Sequence, residues 1–218
     1  MRKSAIAAEA AAALVFDGAS VMIGGFLGVG APDRLIDALV ARGARGLTLI
    51  GNDTAYPTIG VGRLIEAGCV ARVCASHIGT NPTTQRLMSG GAIEVELIPQ
   101  GTLAERIRAG GAGLGGVLTP TGVGTTVAQG KQSIEIDGAT YLIEKPLRAD
   151  FALLRAHEAD YCGNLTYRLT AANFNPVMAF AADCVIAEPD EIVPIGVIPP
   201  DAVRTPGALV THLVGGAR

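Results

Sequence analysis

The 218-residue chain has no tryptophan, and only 4% of its residues are aromatic and 17% charged, so its interior must be built from Ala, Val, Leu and Ile. That composition suits an α/β protein whose parallel strands are buried on both faces. The net charge is −3 and no run of like charge occurs, which removes the electrostatic footprint of a nucleic-acid binder. A membrane span would need about 18 uncharged apolar residues in a row, and there is no such run. Cys69, Cys74, Cys162 and Cys184 never reach C-x-x-C spacing, so zinc and dithiol chemistry are not expected and free thiols in the cytoplasm are. His77, His157 and His212 lie far apart with no i, i+4 partner, so no metal site is expected either. No G-K-S or G-K-T follows a glycine cluster, and G-x-S-x-G is absent, which excludes the P-loop and the nucleophile elbow.

What the chain does have is a regular alternation of strand-type and helix-type segments. The Ala-rich stretch after Met1-Arg2-Lys3 resembles a leader peptide, but Glu9 interrupts it and Asp17-Gly18 turns it into the next strand, so it reads as a first helix. Val21, Met22 and Ile23 form a strand. Leu35, Ile36, Leu39 and Val40 then recur at helical spacing between Pro32 and Gly43. Strands are expected at 47–51, 70–76 and 93–99, with helices at 61–67 and 81–91 between them. Thr102 and Glu105 read as a capping box opening the helix that follows. Seven glycines between Gly110 and Gly124 favour a loop there, and Asp137-Gly138 marks a β-hairpin between 133–137 and 139–144. The pattern predicts one α/β domain over 1–218, an open and mostly parallel sheet flanked by helices with a β-hairpin in its second half.

Ligands of such sheets bind beyond the carboxyl ends of the strands, which directs attention to residues 24–30, GGFLGVG. A backbone without side chains can approach a ligand closely and offer its N–H groups. Gly24, Gly25, Phe26, Leu27, Gly28, Val29 and Gly30 are therefore candidate binding residues, although a tight turn and a core phenylalanine are the plain alternatives. The dinucleotide fingerprint does not fit, because Asp33 stands where its third glycine belongs. A strict match at Gly111, Gly113 and Gly116 follows a helix instead of a strand. Asn52 and Gln100 each follow a strand, so their amides can orient a substrate carboxylate or cap a loop. Arg106 and Arg108 can reach phosphates but read first as a solvated helix face, Glu94 and Glu96 read as a strand face, and Glu188, Asp190 and Glu191 as a turn. No catalytic nucleophile is evident.

Residues 17–32, DGASVMIGGFLGVGAP, resemble the signature of the first subunit of family I coenzyme A transferases. Asp17, Gly18, Val21, Met22, Ile23, Gly24, Gly25, Phe26, Gly30 and Pro32 agree with it, and GNDTA, ASHIGTNP, TPTGVGT, EKPLRAD, NLTY, NFNP and EPDE continue the resemblance. Within the family the chain looks like the α subunits of bacterial acetate/acetoacetate CoA-transferases. The resemblance implies the fold shared with ribose-5-phosphate isomerases and coenzyme A as a co-substrate without a permanent cofactor. It also implies a hetero-oligomer in which a CoA-transferase β subunit supplies the nucleophilic glutamate from an S-E-N-G motif, absent here. Short-chain acids are the expected substrates. A 3-oxoadipate or succinyl-CoA:3-oxoacid transferase, or a ligand-sensing module of the same fold, is the alternative.

Overall fold

The structure, a computed structural model, describes residues 2–215. Met1 and residues 216–218, the ends of the expected domain, lie outside the described residues. The first half runs β1 (Ala5–Ile6), α1 (Ala8–Ala12), β2 (Ser20–Ile23), α2 (Asp33–Arg42), β3 (Leu47–Asp53), α3 (Gly62–Glu66), β4 (Val70–His77), α4 (Pro82–Ser89), β5 (Glu94–Leu97) and α5 (Gln100–Ala112). The second half adds β6 (Val117–Thr119), β7 (Ser133–Ile136), β8 (Ala139–Glu144), β9 (Ala149–Asp160), β10 (Leu165–Thr166), α6 (Asn175–Met178), β11 (Ala182–Val193) and β12 (His212–Val214). Local chemistry sets several boundaries. Gly43 (φ 71°) and Gly113 (φ 70°) end α2 and α5 in the left-handed conformation, and the Asn81 side chain accepts from Thr84 N–H (3.1 Å) at the start of α4.

Nine strands form one sheet in the order β1-β12-β11-β9-β2-β3-β4-β5, with β10 against β9. Every pairing in it is parallel except β10 with β9. The winding reverses at β2, which has β3 on one side and β9 on the other. Binding crevices of open α/β sheets lie beyond the carboxyl ends at such a reversal, and the glycine loop leaves β2 there.

Side-chain alternation along the central strands feeds two apolar layers. Val21, Ile23, Leu49 and Val73 pack with Leu35, Leu39 and Leu64 on one face, while Met22, Ile50 and Cys74 pack with Leu103, Ile107 and Met178 on the other. Because both faces are covered, these strands read as continuous apolar runs, and each buried Leu, Ile or Met contributes about 1.5–3 kcal/mol. Among the described residues no helix is long and apolar enough to cross a membrane.

The structure corrects four expectations. Helix α5 starts at Gln100, with the Pro99 carbonyl accepting from Leu103 N–H (2.9 Å). Thr102 therefore sits inside the first turn with its hydroxyl unpartnered, and no capping box forms. The helix also continues through Gly110 and Gly111, where a loop was expected, because there the bare backbone admits the Leu147 carbonyl and Phe180. Residues 117–119 are a strand, which joins the expected hairpin in a second, antiparallel sheet of order β6-β8-β7. Glu188, Asp190 and Glu191 lie within β11, a 12-residue strand, instead of a turn. The long β9–β11 pairing holds that segment extended.

Candidate active site

The glycine loop is a tight, internally bonded turn. Phe26 and Val29 exchange backbone hydrogen bonds of 3.0 and 2.9 Å, with Leu27 (φ 48°) and Gly28 (φ 89°) at the tip in the doubly left-handed conformation of a type I′ turn. Gly24 N–H donates to Leu153 carbonyl (3.2 Å), Gly25 N–H to Asn173 Oδ1 (3.0 Å) and Leu27 N–H to Asp53 Oδ2 (3.0 Å). Only the amides of Gly28 and Gly30 have no acceptor among the described residues. The protein itself fills most of the space the glycines leave. A Cβ on Gly24 would run into the Asn175 carboxamide, one on Gly28 into Ile59, and one on Gly30 would stand 2.6 Å from the Ala171 carbonyl. Gly25 differs: a Cβ there has ordinary room, but φ of 134° excludes most side chains. Phe26 is not a core residue. It is 47% exposed at the side of the turn, with Val29 50% exposed beside it.

Asn52 and Gln100, chosen separately from the sequence, meet in the structure. Gln100 opens α5 and donates through Nε2 to Asn52 Oδ1 (2.5 Å). Asn52, buried at the end of β3, donates in turn to Asp53 Oδ2 (2.6 Å). The buried Asp53 carboxylate also accepts from Ala55 N–H (2.7 Å), so three donors compensate a charge removed from water. A chain of polar groups thus runs from the first residue of α5 across the ends of the strands to the tip of the glycine loop.

Beside this network lies a cleft of about 770 Å³. One wall is a face of α5 formed by Gln100, Ala104, Arg108 and Ala112 at four-residue spacing; the other carries Phe174, Val177 and Phe180, and Phe26 and Asn173 also line it. Among the described residues no carboxylate, hydroxyl, thiol, imidazole or amine lines the cleft. Arg108 is exposed and paired with Glu105 (3.1 Å). Arg106, expected on a solvated face, is buried and donates to Lys145 carbonyl (2.7 Å) and Glu96 (2.9 Å). Burial raises the Glu96 pKa, but Arg106 and Arg72 outweigh it and hold the carboxyl below its ordinary range. Behind the loop, in a smaller hollow, burial pushes the Tyr167 phenol up to about 12, so it stays neutral near pH 7. Among the described residues no group of three His, Cys, Asp or Glu could hold a metal ion.

A model of the coenzyme A transferase family matches residues 5–216. The chain belongs to the coenzyme A transferase family. It is 58% identical over 198 residues to the acetate CoA-transferase subunit alpha of Escherichia coli K12, a match covering 91% of this chain and 90% of that one. It is 50% identical over 198 residues to the acetoacetyl-CoA:acetate/butyrate CoA transferase alpha subunit of Clostridium acetobutylicum, covering 91% of each. Among solved structures, an acyl-CoA transferase of E. coli O157:H7 in a thioester complex with CoA superposes with a TM-score of 0.88 at 26% identity. The match covers 98% of this transferase chain but only 47% of that one, so the present chain spans about half the length of that relative.

Several residues that shape the transferase loop were not among the candidate site residues read from the sequence. Asp53, Asn173 and Asn175 bond directly to the loop or to its anchors, and the fully buried Glu188 accepts from Leu35 N–H (2.9 Å) and Arg34 N–H (3.3 Å) at the start of α2. Asp53 was findable as the neighbour of Asn52 at a strand end. The others act across 145 to 154 residues of sequence: Asn173 and Asn175 stood in NFNP and Glu188 in EPDE, but nothing local in those motifs tied them to the loop.

Proposed function

We propose that this chain is the α half of a short-chain acyl-CoA:carboxylate CoA-transferase, and that a partner β chain brings the nucleophile. The observation that carries this reading is the cleft, which supplies apolar walls and side-chain amides but no group able to attack a thioester. The relative of about twice the length, solved as a CoA thioester, is consistent with a site completed by a second half.

In this reading a glutamate of the partner, on an S-E-N-G motif, attacks the acyl-CoA carbonyl. The C–S bond breaks, CoA leaves as thiolate, and an acyl anhydride remains. The thiolate then attacks the glutamyl carbonyl, releasing the first carboxylate and leaving a glutamyl-CoA thioester. A second carboxylate reverses the sequence and departs as its CoA ester. Each addition builds negative charge on a carbonyl oxygen, which preorganised N–H donors stabilise. Loop 24–30 contacts the pantetheine arm near the thioester, while Gln100 on the cleft wall orients the substrate; Asn52, expected to do the same, is buried outside the cleft and acts only by holding Gln100. Acetate, acetoacetate and butyrate are the favoured acids: relatives carry those names, and the walls away from Gln100 and Asn173 are apolar except for Arg108, already paired with Glu105. Four unpaired cysteines agree with a cytoplasmic location.

The test is reconstitution. Purified chain should show no CoA exchange between acetoacetyl-CoA and acetate, and should gain it when a glutamate-bearing β subunit is added. Turnover by the rigorously purified single chain would overturn the proposal.

A further inference from the structure

Residues 171–175 reach the glycine loop from late in the sequence and contact it along its length. Asn175 is fully buried; its Nδ2 donates to Gly30 carbonyl (3.0 Å) and Ala171 carbonyl (2.9 Å), while its Oδ1 accepts from Arg155 N–H (3.0 Å). Asn173 is half-buried and lies nearer the cleft. Its Oδ1 accepts from Gly25 N–H (3.0 Å) and Phe174 N–H (2.7 Å), and its Nδ2 donates to Val29 carbonyl (2.9 Å) and Thr170 carbonyl (2.9 Å). Both donors and both acceptor positions of the carboxamide are thus in use.

The placement of these bonds matters more than their number. Phe26 and Val29 close the turn, and Asn173 braces it just outside that pair, taking an amide from one limb at Gly25 and giving a proton to the other at Val29. The two limbs are tied at their base by one side chain that also lines the cleft with Phe26 and Gln100. Gly30 is a glycine for the same reason: a Cβ there would meet Ala171 and, at 2.9 Å, Asn173 Nδ2.

We infer that Asn173 is a positioning residue for the transfer reaction, acting through the Gly25 and Val29 peptides to hold the Phe26 turn against the cleft. Asn175 anchors the segment that carries it. The inference rests on the reading that loop 24–30 faces the reacting thioester. Asn173 contributes little to the apolar layers, being half-buried and outside both clusters, so its loss should disturb the loop far more than the fold.

The experiment uses the assembled enzyme with its β subunit and the variants Asn173→Ala and Asn173→Asp. Asn173→Ala should lower kcat about tenfold or more, the size expected when a bound substrate is misplaced by a fraction of an ångström, with a much smaller change in KM for acetoacetyl-CoA. Deuterium uptake in a peptide spanning Met22 to Pro32 should accelerate, and the assembly should keep its size, with a melting temperature lowered by only a few degrees. Asn173→Asp retains the acceptor for Gly25 N–H but turns a carboxylate oxygen on the Val29 and Thr170 carbonyls, so it should free the Val29 limb and lower kcat at least tenfold as well. Unchanged deuterium uptake in Asn173→Ala would refute the clamp itself. Faster uptake with unchanged kcat would leave the clamp standing and defeat the reading of the loop as part of the site. Should Asn173→Ala not assemble, Asn173→Asp decides: kcat at least tenfold down with faster uptake in an intact assembly supports the clamp, and a smaller fall in kcat or unchanged uptake overturns it.

Discussion

Replacing Asp53 by asparagine removes one charge and exchanges one acceptor for a donor, at a point where three donors converge. If the retained oxygen stays on Ala55 N–H, the closest backbone donor at 2.7 Å, the new amide faces Leu27 N–H and Asn52 Nδ2, both of which are donors. Asn52 can turn its carboxamide over only by presenting its NH₂ to Gln100 Nε2, so the mismatch passes along to α5. Leu27 is left with an unpaired amide and with φ of 48°, a conformation that costs a non-glycine residue roughly 1–2 kcal/mol. Orphaning a buried donor costs about 1–3 kcal/mol, and part of the Leu27 strain returns if the turn relaxes. The net expectation for Asp53→Asn is a loss of about 2–4 kcal/mol in urea unfolding, together with a fall in kcat/KM of the reconstituted enzyme. The strain argument adds a second arm. Leu27→Gly placed on Asp53→Asn should recover about 1 kcal/mol, because glycine takes positive φ freely. A loss below about 0.5 kcal/mol, or no recovery by Leu27→Gly, would refute the account of Asp53 as the group that holds the strained tip.

Glu188→Ala strips one of two carboxylate partners from the Arg155 guanidinium (2.5 Å), Asp190 remaining, and the acceptor from the first amides of α2, and should cost about 1–3 kcal/mol by chemical denaturation, with Glu188→Gln costing clearly less. Asp150 accepts from both Ser20 Oγ (2.6 Å) and Ser20 N–H (2.7 Å), and these bonds hold its carboxyl below the ordinary range. A depressed folded-state pKa adds stability that is complete above the unfolded value, near 4, and is lost as pH falls through the folded value. Ser20→Ala should therefore lower the melting temperature at pH 7, and the deficit should shrink as pH falls through the folded value to the part left by the lost Asp150 N–H to Ser20 Oγ bond (2.9 Å); a deficit wholly independent of pH would contradict the assignment.

The architecture was legible because parallel strands covered on both faces leave uninterrupted apolar runs such as VMI and LTLI, and because Pro32, Gly43 and Gly68 punctuate them. The loop was legible for the same reason, as glycines at the end of a buried strand. What the glycines are for was not. Gly24 admits a side chain from position 175, and Gly28 one from position 59, so distant packing explains positions that looked reserved for a ligand. The cleft wall on α5 was equally silent, since Gln100, Ala104, Arg108 and Ala112 form a stripe without the apolar character that marks a buried helix face. Thr102 misled because a capping box is a local pattern, whereas the start of α5 is set by Pro99 and by where β5 ends.

The tie between Gly25 and Asn173 spans 148 residues, and the β2–β9 pairing beneath it joins Val21 to Phe151. A chain still emerging from the ribosome carries the loop long before it carries the residues that shape it. Closing so long a segment is also entropically late, so the shaped glycine loop is among the last parts of the fold to take form.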